Sequence, residues 1–336
     1  MAITAMARET AEAPEAVARL LARNGPAFAE IARMVRDRRP SHVVTSARGS
    51  SDNAASYFKY LCEIMLGLPC CSIGASVVSI YGARLHLRDT ILVTVSQSGM
   101  GPDLLSFQAE AKRGGIPAIA VTNDETSPLA READLCLPLC AGPELSVAAT
   151  KTFITSAVAG AAIIAACAGD SAFTKAVDAL PECLSRALAV TWPHAEEAIA
   201  TSYSLYVLGR GPSLPIAMEA ALKLKETSGI HAEAYSAAEV RHGPMELVRE
   251  GFPVLVLAPD DAARETSDVT VAALREAGAA VFSTGTGGLD SAATAHPFLD
   301  PVSMITTFYA AAERIARARG RDPDRPRLLR KVTRTR

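Results

Sequence analysis

The chain has 336 residues, a formal net charge of −2, 49% hydrophobic and 21% charged residues. That length suits two domains of ordinary size, each burying its own core. The near-neutral charge offers no global attraction to nucleic acid or to an anionic membrane, so neither is expected as a partner.

In chain order, residues 8–37 read as one or two amphipathic helices broken at Asn24-Gly25-Pro26, with a polar stop from Arg36 to Pro40. The start lacks the apolar core and cleavage site of a secretory leader, which makes a cytoplasmic protein the expectation. Strand-like runs at 42–46, 70–73, 90–95, 117–121 and 134–138 then alternate with helical segments at 51–66, 75–83, 102–113 and 127–132. Such alternation predicts a parallel sheet with helices on both faces. Helices at 146–169 and 173–200 form a bridge; the Ala-rich run 147–168 is interrupted by Thr150, Lys151 and Thr152, which predicts a buried helix rather than a membrane span. A second α/β unit begins at Tyr203. The seven cysteines show no metal-ligand spacing and read as reduced core thiols. From Arg314 onward lie nine arginines and one lysine; by charge pattern alone this tail is a solvated segment or a loose nucleic-acid binder.

Laid on itself at an offset of about 162 residues, the chain matches itself three times in one order. VVTSARGSSDNAA (43–55) falls on LYVLGRGPSLPIA (205–217), ILVTVSQSG (91–99) on PVLVLAPDD (253–261), and IPAIAVTN (116–123) near AAVFSTGT (279–286). Two copies of one fold are implied. The copies differ where chemistry would sit: Glu226 falls on Ile64 and His242 on Ile80, while the Ser96-Gln97-Ser98-Gly99 loop becomes Ala-Pro-Asp-Asp.

Ligands of open parallel sheets settle at the carboxyl ends of strands, where Ser51 and the Ser96-Gln97-Ser98-Gly99 loop are expected. Small hydroxyl residues with glycine suit a phosphate, and they equally suit a structural turn. Asp260 and Asp261 would repel a phosphate from the second copy, or serve as a helix cap. The helix from Pro215 to about Ser228 carries Glu219, Lys223 and Glu226 at i, i+4 and i+7. The plain reading is an exposed face with an ordinary Glu–Lys pair. Against it stands the polar segment 228–244 that follows, read as a long irregular loop with two histidines and of a kind that tends to be functional.

The run GRGPSLPIAMEAALKLKETSGIHAEAYSAAEVRHGP (209–244) closely resembles the isomerase module of glucosamine-6-phosphate synthases, within the double sugar-isomerase (SIS) domain family. The resemblance extends from Ser41 to the C-terminus. It implies two SIS domains, each a flavodoxin-like parallel sheet flanked by helices, at 41–170 and 203–320. A helical segment at 1–40, a linker at 171–202 and an active-site tail at 321–336 complete the expected organisation. By resemblance, Ser51, Ser96, Gln97 and Ser98 hold the sugar phosphate, Glu226 shuttles a proton between C1 and C2, and Lys223 is its neighbour. His242 is implicated in ring opening across a homodimer interface, and Lys331, in DRPRLLRKVT (324–333), is the lysine able to form an imine with the open-chain ketose. No metal or organic cofactor is implied. The chain departs from the family at Met100, Gly101 and Ala149, where an acidic residue, a threonine and a serine are usual.

The family's synthases precede this module with a glutaminase domain bearing an N-terminal cysteine nucleophile. Here Ala2 and some forty residues precede the first strand, so glutamine hydrolysis is not expected. Free ammonium is mostly protonated at neutral pH, which makes deamination the expected direction: glucosamine 6-phosphate to fructose 6-phosphate plus ammonia. The alternatives are ammonia-dependent synthesis, a fructosamine-6-phosphate deglycase, and a non-catalytic sugar-phosphate sensor.

Overall fold

Two parallel sheets arise from the two alternating stretches of the sequence. The computed structural model describes residues 3–331. Helices α1 (Ala5–Ala11) and α2 (Ala13–Arg38) lead into β1 (His42–Ser46), α3 (Ser50–Leu61), β2 (Cys70–Ser72), α4 (Ser76–Ser79), β3 (Thr90–Ser96), α5 (Pro102–Arg113), β4 (Ala118–Thr122), α6 (Pro128–Glu132) and β5 (Leu135–Pro138). Four helices follow: α7 (Lys151–Ala168), α8 (Ser171–Asp178), α9 (Leu180–Ala187) and α10 (Pro193–Thr201). The second sheet comprises β6 (Ser204–Gly209), β7 (His231–Ser236), β8 (Pro253–Val256) and β9 (Ala280–Ser283), with α11 (Leu214–Lys223), α12 (Arg264–Glu276) and α13 (Asp300–Ala318) around it.

The first sheet has the order β2-β1-β3-β4-β5 and the second the order β7-β6-β8-β9, and every pairing is parallel. The first is the flavodoxin-like doubly wound order, and the second repeats it without the last strand. Strands β3 and β4 are buried along their whole length, as strands covered on both faces must be. The chain divides into two compact units. One holds the first sheet within Glu15–Glu144 and Lys151–Asp178; the other holds the second sheet within Leu145–Thr150 and Ala179–Lys331, together with α1. In the first-sheet unit Val44, Leu92, Leu104 and Phe107 share a core, and in the other Tyr206, Leu208, Val254 and Val271 do so.

The duplication extends to an irregular detail. Each first crossover helix ends in a π-helical turn, Cys62–Leu66 after α3 and Leu224–Ser228 after α11, and each turn stops on a left-handed glycine, Gly67 (φ 64°) or Gly229 (φ 61°). The two turns occupy matching positions in the self-alignment. A π-turn inserts one extra residue per turn and often marks a functional site.

Helix α7, with mean hydropathy 1.6 over its 18 residues, is long and apolar enough to cross a membrane, yet 83% of it is buried inside the protein. Its Gly160 lets Phe58 of α3 approach, since a Cβ there would lie 3.1 Å from the Phe58 Cβ. Burial pushes the Cys62 and Cys70 thiols up to about 12, whereas Cys71 is exposed.

Three local expectations fail. The stretch 173–200 is not one helix but three, α8, α9 and α10. Helix α2 runs unbroken through Pro26 instead of stopping at Asn24-Gly25-Pro26. The Asn24 amide donates to the carbonyls of Leu20 and Pro138, both at 2.9 Å, tying this stretch of helix to the end of β5. The lost Pro26 N–H is therefore tolerated inside a packed helix. The segment 228–244 is not an irregular loop throughout, because His231–Ser236 pairs with β6 as the edge strand β7.

Candidate functional site

In the first-sheet unit, β1 and β3 are neighbours whose connections leave in opposite directions, which makes the carboxyl ends of these two strands the topological switch point. Ser51 lies there in the first turn of α3, its backbone N–H bonded to the Arg48 carbonyl at 3.1 Å. Ser96 ends β3, and its hydroxyl accepts the Gly99 N–H at 3.1 Å; the Ser98 hydroxyl accepts the Met100 N–H at 3.4 Å. Gly99 has φ 61°, and a Cβ on it would fall on the Ser127 hydroxyl, so the loop requires glycine. The Gln97 carbonyl accepts the Asn123 N–H at 3.1 Å.

An ion pair locks these two loops together. Arg48, after β1, donates through Nε at 2.8 Å to the Asp103 carboxylate in the first turn of α5, and Asp103 is only 2% exposed. Two guanidinium nitrogens, Nε and Nη2, converge on the one oxygen Oδ2, a charge-assisted contact stronger than a neutral hydrogen bond. In the second-sheet unit, the Asp261 carboxylate accepts the Ala263 N–H at 2.8 Å on the approach to α12. Asp261 is thus a turn cap, and burial raises its pKa above the usual carboxylate value.

Helix α11 and its π-turn carry the candidate acid–base groups, and here the plain reading of the sequence as an exposed face is overturned. Glu219 is fully buried and Lys223 is 1% exposed, so the i, i+4 pair is no surface ornament. The Lys223 Nζ lies 3.5 Å from the Glu219 Oε1 and also donates to the Glu226 Oε2. Glu226, with 20% of its side chain exposed, is the member of this trio that reaches solvent. A buried ammonium needs such anionic partners, because desolvation otherwise disfavours its charged form. The Glu219 carboxylate receives a further bond of 3.0 Å from the Tyr309 hydroxyl on α13.

The π-turn that holds Glu226 is braced at its end. Arg319 donates through Nε to the Ser228 carbonyl at 3.0 Å and through one terminal nitrogen, Nη1, to the carbonyls of Ala200 and Ser202. The Arg321 guanidinium packs where a Cβ on Gly229 would sit. Cations at helix carbonyl ends are favourable by charge and by hydrogen bonding.

His242 is exposed, on a turn between the short 3₁₀ segments Glu239–Arg241 and Pro244–Leu247, with Gly243 at φ 130°. That turn is fastened to the sheet by the buried Tyr206, whose hydroxyl donates to the Pro244 carbonyl at 2.8 Å. Lys331 donates to the Ser146 carbonyl at 2.6 Å. Segment 145–147 is itself held by Glu9 of α1, which accepts the Ser146 N–H at 3.2 Å, and by the Asp324 carbonyl, which accepts the Val147 N–H at 3.3 Å. Val332 and Thr333 of the tail motif lie outside the described residues. The structure therefore joins Lys223 to Glu226 directly, gives His242 and Lys331 separate anchorages in the same unit, and gathers Ser51, Ser96, Gln97 and Ser98 at the switch point of the other.

Residues 38–166 and 198–293 match the SIS domain family model. The chain belongs to the SIS family. An isomerising glutamine-fructose-6-phosphate aminotransferase of Pyrobaculum aerophilum is 34% identical to this SIS protein over 345 residues, covering 97% of the chain and 57% of the relative. The chain spans about half the length of the curated relatives it matches. Among solved structures it is similar to a Silicibacter pomeroyi protein provisionally assigned to the phosphosugar isomerases, with 46% identity, a TM-score of 0.92, and coverage of 96% of this chain and 100% of that one. It is also similar to the C-terminal domain of glucosamine-fructose-6-phosphate aminotransferase from Francisella tularensis, with 26% identity, a TM-score of 0.86, and coverage of 97% and 99%.

Sequence reasoning missed Tyr309 and the Arg48–Asp103 clamp. The spacing of Glu219, Lys223 and Glu226 signals their shared face, but nothing local to Tyr309 signals a bond to a residue 90 positions away.

Proposed function

We propose that this SIS protein is an isomerising deaminase of amino-sugar phosphates, turning glucosamine 6-phosphate and water into fructose 6-phosphate and ammonia. The observation that carries the reading is the contact of Lys223 with Glu226, which presents one solvent-reaching carboxylate against a buried ammonium. Such a carboxylate is suited to taking the proton from C2 of the open-chain substrate and delivering it to C1, while the ammonium balances charge developing on the adjacent heteroatoms. In the same reading His242 assists ring opening by proton transfer. Ser51, Ser96, Gln97 and Ser98 hold the phosphate through hydroxyl, amide and backbone donors. Water then adds to the C2 imine and ammonia leaves, with Lys331 closing the site or forming a transient imine.

The direction rests on chemistry. The groups named here transfer protons and do not free ammonia from an amide, and free ammonium at neutral pH is mostly protonated and non-nucleophilic. Ammonia release measured across 6-phosphorylated amino sugars tests the proposal; no release from any of them overturns it. The 46% identity to a protein provisionally assigned to the phosphosugar isomerases favours a second reading, plain aldose–ketose isomerisation at the same groups. Interconversion of unaminated hexose phosphates without ammonia release would select it.

A further inference from the structure

Behind the Lys223–Glu226 contact lies a second layer that neither the motif nor the proposed reaction assigns. Tyr309 is fully buried on α13, and its hydroxyl donates at 3.0 Å to Glu219. Glu219, also fully buried, lies 3.5 Å from the Lys223 Nζ, which in turn donates to Glu226. The chain of contacts runs from an all-buried interior to the one carboxylate with solvent access. A tyrosine hydroxyl in a core seeks a partner, and a buried carboxylate needs every donor it can gather.

We propose that Tyr309 is a positioning residue for the acid–base site: it holds the Glu219 carboxylate, which holds the Lys223 ammonium where it contacts Glu226. This rests on the functional reading above for its effect on turnover, but not for its effect on Lys223. Without the Tyr309 hydroxyl, Glu219 is one donor short and draws the ammonium inward, away from Glu226. Tyr309 touches no substrate in this scheme. Its influence passes through two buried charges, so it alters the speed of the proton transfer and leaves binding through the phosphate loop unchanged.

The test uses Tyr309→Phe, which keeps the ring and removes the hydroxyl. Turnover should fall about 10-fold, the size of one lost charge-assisted bond, with KM changed by less than about twofold. In a Glu219→Gln background the same substitution should cost far less, since residues that act through one another are not additive. Independently of any activity, the side-chain ¹⁵N resonance of Lys223, assigned by its disappearance in Lys223→Arg, should shift in Tyr309→Phe. An unmoved resonance overturns the proposal, and so does an equal loss of turnover in both backgrounds. If the unmodified protein turns over no amino-sugar phosphate, the functional reading fails and the Lys223 resonance alone decides the role of Tyr309.

Discussion

At the scale of single residues, Glu226 is the side chain on which the proposed chemistry turns. Glu226→Gln keeps size and helix propensity and leaves the phosphate loop untouched. An amide cannot accept the C2 proton, so turnover should fall about 10² to 10⁴-fold, and exchange of the substrate C2 hydrogen with solvent deuterium should stop while the sugar phosphate still binds. Full activity in this variant would remove Glu226 from the mechanism. For the phosphate, replacing Ser96 and Ser98 together by alanine removes two hydroxyls from the switch-point loop. KM for the phosphorylated substrate should rise about 10-fold or more while the fold is kept, with a modest drop in thermal midpoint from the N–H groups left unpaired, and an unchanged KM would refute the assignment.

At the scale of elements, the π-turn Leu224–Ser228 is what distinguishes α11 from an ordinary helix, and its stop at Gly229 is under two constraints at once. Gly229 has φ 61°, and the Arg321 guanidinium occupies the space its Cβ would need. Gly67 ends the matching π-turn with φ 64° but has open space around it. Gly229→Ala should therefore destabilise the protein by about 1–3 kcal/mol, combining backbone strain with a displaced arginine, and Gly67→Ala by less. Chemical denaturation of both variants checks the ranking; equal costs would mean that the arginine yields freely. The two copies share the π-turn but not the candidate base. Cys62–Leu66 carries Ile64 where Leu224–Ser228 carries Glu226.

At the scale of the whole molecule, the homodimer that the family resemblance implies makes a quantitative demand. If His242 serves the partner's site, an inactive Glu226→Gln chain mixed with an inactive His242→Ala chain should recover activity. Random pairing makes half the dimers mixed, with one intact site in two, so recovery should approach about a quarter of the wild-type value. A fully active monomer in sedimentation measurements would refute the exchange. The exposure of His242 on its turn leaves it available for such a role.

Two parallel sheets, their duplication and the shared helix face of the candidate residues Glu219, Lys223 and Glu226 were legible in the amino-acid sequence, because period, turn chemistry and a specific motif are local properties. Ser96 at the end of β3 and Glu226 near the end of its helix lie where those local signals put them. What only the tertiary structure decided is environment. The i, i+4, i+7 spacing of Glu219, Lys223 and Glu226 is the same on a wet face and in a core, and it is the packing of α11 against β6, β7 and α13 that buries the pair, with α13 supplying Tyr309. Likewise Asn24-Gly25-Pro26 has the composition of a helix break, and only the Pro138 carbonyl, 114 residues away, turns it into a docked stretch of helix. Burial and long-range hydrogen bonds depend on partners brought together by the fold, so no window of sequence contains them.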